Sequence, residues 1–300
     1  MEIVLALGAA LCFALGTVLQ QKGAVQSTGE EALKANFLLT LAHRPVWLAG
    51  LAVDGLGFIF QAAALGIGRL VVVQPLLATS VVFALPFGVK LTNQKVGRRE
   101  ITGAVAVVIG LGAFLVAADP SGGMDDASAK AWLIGGAIIV AVCTALVVAG
   151  ARARPTAKAG LFGTATGILF AVSAGLTKAV VDQLGEGVLT IFTDWHLYLL
   201  IVVGYVSMTL SQTSLQTGVL APAIATQMTF DPLTSVLIGT LMFGETIHED
   251  PVGLGVSIAA LLFMFGGLGL LARSSPADAP PPAGPPATVD TTPGPRESSA

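Results

Sequence analysis

Residues 219–245 read VLAPAIATQMTFDPLTSVLIGTLMFGE, and the reading of that stretch decides the fold. It is long and apolar enough to cross a bilayer, which takes roughly 17–25 residues of helix. Asp231-Pro232 stands in its middle and Gly244-Glu245 at its end. A carboxylate in hydrocarbon is expensive unless it faces a cavity or a partner. Pro232 has no N–H to donate, so the Met228 carbonyl loses its helical partner. Proline also biases Asp231 away from the helical region. The backbone is therefore expected to unwind around Asp231, the way many carriers build a substrate site near the midplane. The alternative is a kinked helix whose Asp231 is buried against a neighbour.

The composition extends that reading to the whole chain. Of 300 residues, 54% are hydrophobic and 11% charged, and the mean hydropathy is +0.83. A soluble domain carries about 25% charged residues. Apolar segments of spanning length recur from end to end, so the expected class is an all-α polytopic membrane protein. Cys12 and Cys143 lie inside apolar spans and read as packing residues rather than a disulfide or a metal pair. His43, His196 and His248 sit at or near span ends and form no metal-ligand spacing. No hydrolytic, phosphate-binding or zinc motif appears, which argues against an enzyme, and no cofactor is expected.

Span one runs from Met1 to about Leu19 and closes on Gln20, Gln21 and Lys22. Its basic residue follows the apolar run, unlike a cleavable signal peptide, so it reads as permanent. Residues 26–44 are too polar to span. Leu33, Phe37, Leu38 and Leu41 share one face there, which fits an interfacial amphipathic helix. Further spans are expected at 46–67, 70–90, 101–118, 131–150, 160–182, 195–217, 219–245 and 251–272. Span six carries Gly163-x-x-x-Gly167, a spacing that lets helices approach closely. The polar residues Ser207, Ser211 and Ser214 share a face late in span seven, beside Gln212. That face suits a cavity or helix packing. Residues 274–300 hold eight of the sixteen prolines and are expected to be disordered.

Nine spans place the termini on opposite sides. Twelve of the fifteen lysines and arginines fall on the side of the C-terminus, leaving Arg69, Lys130 and Lys178 for the other. The positive-inside rule then puts the N-terminus outside and the C-terminus in the cytoplasm of a cell-membrane protein. The halves also echo each other. Phe13-Ala14 matches Phe170-Ala171 at an offset of 157, and a run including Thr79 and Thr229 matches at 150. A rival register pairs Gln74-Pro75-Leu76 with Asp231-Pro232-Leu233. The layout is two inverted four-helix repeats, 1–118 and 159–272, around a linking segment 119–158, with a tail at 273–300. Inverted repeats with a site at their interface are a carrier architecture.

Three segments carry a family resemblance: Trp47-Leu48-Ala49-Gly50-Leu51, Gln61-Ala62-Ala63-Ala64-Leu65 and Val73-Gln74-Pro75-Leu76. With Asp231-Pro232-Leu233 leading to Phe243-Gly244-Glu245, they resemble the drug/metabolite transporter superfamily, in its branch related to NIPA-type magnesium transporters. The likeness covers residues 1–272. It implies a multi-pass carrier working by alternating access. The NIPA pattern has Gly-Glu after W-x-A-G-L, but here Phe58 follows Gly57 and the acid is Asp54, a turn earlier. Gln61 stands where that pattern has Asn, and Leu91-Thr92-Asn93-Gln94 replaces the superfamily's Gly-Glu in the first half. The resemblance thus implies transport more firmly than any cargo.

The candidate binding residues are Asp54, Gln61, Gln212, Asp231 and Pro232. Asp54 and Gln61 are seven apart on one helix face, and Asp54 lies about 12 Å into its span at 1.5 Å per residue. Asp54 and Asp231 together suit a divalent cation, since magnesium prefers carboxylate and water oxygens. They equally suit a proton relay. Gln21, Lys22 and Lys178 close their spans and read either as secondary binding groups or as side chains snorkelling to the headgroups. Glu245, at an outer end, reads as a mouth residue or a solvated end. The expected partners are a small solute or divalent cation and the lipid bilayer. A homodimer is left open, and no nucleic acid is expected. A non-transporting scaffold docked through its proline-rich tail and a passive channel are the rival readings.

Overall fold

The computed structural model describes residues 1–25, 43–185, 187–215, 217, 220–247 and 250–273. The expectations for an interfacial helix at 26–44 and for the tail at 274–300 fall almost wholly outside these residues. The described chain is helical: α1 (Glu2–Val25), α2 (Pro45–Ile67), α3 (Leu70–Leu77), α4 (Ser80–Thr92), α5 (Arg98–Ala118), α6 (Ala129–Ala151), α7 (Pro155–Leu184), α8 (Thr190–Thr193), α9 (Trp195–Leu215), α10 (Leu220–Leu241) and α11 (Pro251–Arg273). Two short strands, β1 (Ser121–Gly122) and β2 (Glu245–Thr246), pair antiparallel, Ser121 opposite Thr246 and Gly122 opposite Glu245.

Among the described residues, eight helical stretches are long and apolar enough to cross a membrane: α1, α2, α3 with α4, α5, α6, α7, α9 and α11. The chain is an all-α, multi-pass membrane-type protein. The Asp231-Pro232 helix, α10, is not among the eight. Gln227, Asp231 and its many threonines dilute its apolar residues. It is nonetheless a single helix of 22 residues with Pro232 inside it. The expected unwinding at Asp231 is therefore corrected. The break falls in the expected third span instead, where α3 ends at Leu77 and α4 begins at Ser80, two residues after Gln74-Pro75-Leu76-Leu77. Pro75 itself lies inside α3, and Ala78 and Thr79 keep right-handed helical dihedrals, so the two helices are joined by a tight turn rather than an unwound segment.

The helix at the centre is α7, not α10. It is 30 residues long and most of it is buried. It packs against α10, α9, α6 and α2, while α1 packs against α2, α3 and α4, and α5 against α11. Close approach explains the glycines. A Cβ built on Gly167 would stand 2.6 Å from the Gln227 carbonyl oxygen and 2.9 Å from the Asp231 nitrogen. One on Gly163 would meet the Ala223 carbonyl oxygen at 2.4 Å. The Gly-x-x-x-Gly spacing is thus the α7–α10 crossing, in the small-residue manner of membrane helices. By contrast α6 is the least buried span, with Leu133 and Val140 largely exposed. An exposed apolar helix is costly in water and neutral against lipid tails, which fits α6 to a membrane-facing position.

Candidate functional site

Alternating passes gather Met1–Glu2, 68–69, 119–128, 187–194 and 242–247 at one end of the bundle. That end is sealed by charge. Glu2 accepts from the Arg69 backbone N–H at 2.8 Å and pairs with its guanidinium at 2.5 Å. Arg69 also donates to the Pro120 carbonyl. The next two N–H groups of the same turn, Leu70 and Val71, donate to the two carboxylate oxygens of Glu245 at 2.7 and 2.8 Å. Lys178 lies 3.1 Å from Glu245 and 3.0 Å from the Gly68 carbonyl oxygen. Both side chains are nearly inaccessible, at 5% and 0% exposure.

The local sequence makes this arrangement possible. The first N–H groups of a helix lack internal partners, and a carboxylate there is favoured by the helix dipole. Gly244 has φ 64, a left-handed conformation open to glycine, and it turns the chain so that Glu245 meets the start of α3. The solvated-end reading of Glu245 is corrected: the side chain is buried. Lys178 does not snorkel, because its side chain is buried and Glu245 is its counter-ion.

A second polar cluster at the same end joins α6, α7 and α9. The His196 ring lies 2.5 Å from Asp194 through Nδ1 and 3.4 Å from Asp126 through Nε2. Asp126 also accepts from the Trp132 indole at 2.9 Å. Trp132 meets Trp195 and Phe243 edge-on. Burial works against a charge on Asp194, but hydrogen bonds from the His196 backbone and ring and from Gln183 outweigh it and hold the carboxyl below its ordinary range.

Between the helices lies a cavity of about 720 Å³. Asp54 and Gln61 reach it from α2, Gln74 from α3, and Gln227, Asp231 and Pro232 from α10. Phe13, Phe58 and Phe170 add aromatic faces. Asp54 accepts from Gln20 through Oδ2, while Oδ1 is buried over Gly16 of α1 with no hydrogen-bond partner. Ser235 stands 3.5 Å from Asp231 Oδ1, at the outer limit of a hydrogen bond. Gln74 is 3% exposed and its Nε2 has no partner. No lysine, arginine or histidine among the described residues lines the cavity.

A smaller space of about 240 Å³ shares Phe13, Thr17, Ser80, Val81 and Met228 with it. This vestibule runs toward the opposite end of the bundle, where Gln21, Gln94 and Glu100 line it. Thus four of the five candidate binding residues come together, and Gln21 lies at the vestibule. Lys22 lines neither space. Gln212 is corrected: it is exposed on α9, about 100° around the helix from Ser211. Ser207 faces the cavity, Ser211 donates to Gln227, and Ser214 donates to the Ala159 carbonyl. Gln227 and Gln74 were the amides to find. Gln227 is one turn before Asp231 on the same face, and Gln74 precedes Pro75 as Asp231 precedes Pro232. Among the described residues, no three His, Cys, Asp or Glu side chains converge in a way that holds a metal ion.

With the geometry in hand, the chain can be set beside known proteins. It is 28% identical over 266 residues to an uncharacterized protein of Corynebacterium glutamicum, across 87% of this chain and 92% of that one. No known family profile matches the chain, and no solved structure matches it. The likeness to the bacterial relative spans nearly the full length of both chains and assigns no activity.

Proposed function

We propose that this chain is a small-solute carrier of the drug/metabolite transporter type, working by alternating access around the Asp54–Asp231 cavity. The observation that carries the reading is the cavity itself: polar groups of α2, α3 and α10, far apart in sequence, converge inside a bundle of membrane-type helices. Such sites between the helices of a bundle are the usual home of a bound small molecule.

The packing supports the inverted-repeat layout of four spans, a linker and four spans. In that layout α1, α2, α3–α4 and α5 correspond to α7, α9, α10 and α11. The partners correspond as well: α1 packs on α2 and α3–α4, α7 on α9 and α10, and α5 on α11. The register pairing Gln74-Pro75 with Asp231-Pro232 gains support too, since Gln74 and Asp231 face one cavity. α10 then serves as the ninth span despite its polarity. With the N-terminus outside the cell membrane, the sealed end faces outward and the vestibule faces the cytoplasm. The site is thus held in an inward-facing state, with Lys178–Glu245 and Arg69–Glu2 as the outer closure.

A magnesium carrier is the second reading, favoured by the two carboxylates and by the NIPA-like segments. Reconstitution separates these. Proteoliposomes holding the purified protein are loaded with a metabolite mixture or with a magnesium-sensitive dye. Saturable, trans-stimulated efflux of an organic solute, lost in Asp231→Asn, supports the carrier. A saturable dye signal supports magnesium. Flux that never saturates points to a channel, and no flux from folded protein removes the carrier reading in favour of a scaffold.

A further inference from the structure

The cavity also restricts the chemical class of what it holds. Two carboxylates, Asp54 and Asp231, line it, and no basic side chain among the described residues does. Lys178, the residue after the cavity-lining Thr177, is committed to Glu245 on the far side. His196 does not line the cavity and its ring is hydrogen-bonded to Asp194 at the sealed end. Inside a helical membrane protein an acid is paired or marks a ligand pathway, and here the protein supplies no pairing cation. Lys95, Arg98 and Arg99 are near Glu100 in sequence but do not line the passage.

Size and surface refine the class. A magnesium ion keeping six waters occupies about 180 Å³, at about 30 Å³ per water. The cavity holds about 720 Å³, in the range of sites for whole organic molecules, roughly 300–1,000 Å³. Phe13, Phe58 and Phe170 line it, and aromatic faces attract quaternary and primary ammonium groups. Gln74 supplies an independent sign that the site is incomplete by itself. Its amide is buried in the wall, with an N–H group that no protein atom accepts.

From these observations, and resting on the carrier reading above, we infer that the cargo is an organic cation, its ammonium group held by Asp231 and Asp54 and its apolar body set against the phenylalanines. Binding tests the cargo class apart from transport. The full chain in nanodiscs is titrated with benzyltrimethylammonium and, separately, with phenylmethanesulfonate, which has the same shape and the opposite charge. The inference expects saturable binding of the cation, with the sulfonate at least a hundredfold weaker. Asp231→Asn is expected to weaken the cation at least tenfold and Phe170→Leu severalfold, in proteins that keep the wild-type melting profile. Asp231→Glu, which restores the charge, is expected to recover most of the affinity. Equal binding of the sulfonate, no saturable binding of the cation, or displacement of the cation by submillimolar magnesium chloride overturns the inference. Flux of the same cation across proteoliposomes is read independently. Binding without flux leaves the cargo class standing and removes the carrier.

Discussion

Replacing Glu245 by glutamine strips one negative charge from a site where nothing but protein surrounds it. The side chains of Glu245 and Lys178 are 0% and 5% exposed, so water does little to screen the change. Glutamine keeps one acceptor oxygen, so one of the Leu70 and Val71 N–H groups loses its partner, and Lys178 loses the opposite charge beside it. Breaking a buried ion pair from one side costs about 3–5 kcal/mol, and an orphaned buried N–H adds about 1–3 kcal/mol. Glu245→Gln is therefore expected to lose at least about 4 kcal/mol. Lys178→Met leaves both N–H bonds to Glu245 intact and is expected to lose about 3 kcal/mol, through the uncompensated carboxylate. The double variant removes both charges, so its loss should fall short of the sum by about 2 kcal/mol or more. Unfolding of the purified protein in mixed micelles gives the three stabilities. Hydrogen exchange at Leu70 and Val71 gives the local effect, with faster exchange in Glu245→Gln and little change in Lys178→Met. Additive losses, or unchanged exchange at both amides, would refute the coupling of Lys178, Glu245 and the start of α3.

Other parts of the structure give sharper contrasts. Gly167→Ala drives a Cβ against backbone atoms of Gln227 and Asp231, so it should cost about 1–3 kcal/mol, while Gly112→Ala, which meets nothing within 4 Å, should cost nothing; paired melting curves decide. In a background lacking Cys12 and Cys143, Ser173→Cys, at a half-buried position of the cavity wall, should be labelled by a small hydrophilic thiol reagent and protected by cargo. Gln212→Cys, which faces away from the cavity, should show no protection. Asp194 has a lowered carboxyl pKa in the folded chain, so its contribution is complete above its unfolded value of about 4 and is lost as pH falls through the folded value. Asp194→Asn should therefore narrow the stability gap between pH 7 and pH 3, read by unfolding at the two pH values.

Much of the fold was legible because bilayer physics writes it in long apolar runs. The expected bounds of the spans at 46–67, 101–118, 131–150 and 251–272 differ from α2, α5, α6 and α11 by at most three residues. The misjudged element was the one that looked decisive. Asp-Pro in 219–245 argues for unwinding, yet packing of α10 along Gly163 and Gly167 holds it helical. The junction between α3 and α4 instead follows Gln74-Pro75 by one turn. Periodicity placed Asp54 with Gln61 correctly, because both lie on one helix. Nothing local distinguished Gln212 from Gln227, since the choice depends on which face of α9 meets α10. Lys178 and Glu245 were read as span ends because their pairing joins residues 67 apart, through a turn that neither helix pattern announces. The His196 cluster was missed for the same reason: Asp126 comes from a loop preceding another helix.

The central claim is that cargo passes through the cavity at Asp231. Its most direct test is saturable flux of benzyltrimethylammonium into proteoliposomes, comparing wild type with Asp231→Asn at equal insertion and equal melting temperature. The account predicts saturable uptake by wild type, reduced at least tenfold in the variant and recovered in Asp231→Glu. Uptake by folded Asp231→Asn at the wild-type rate would contradict it.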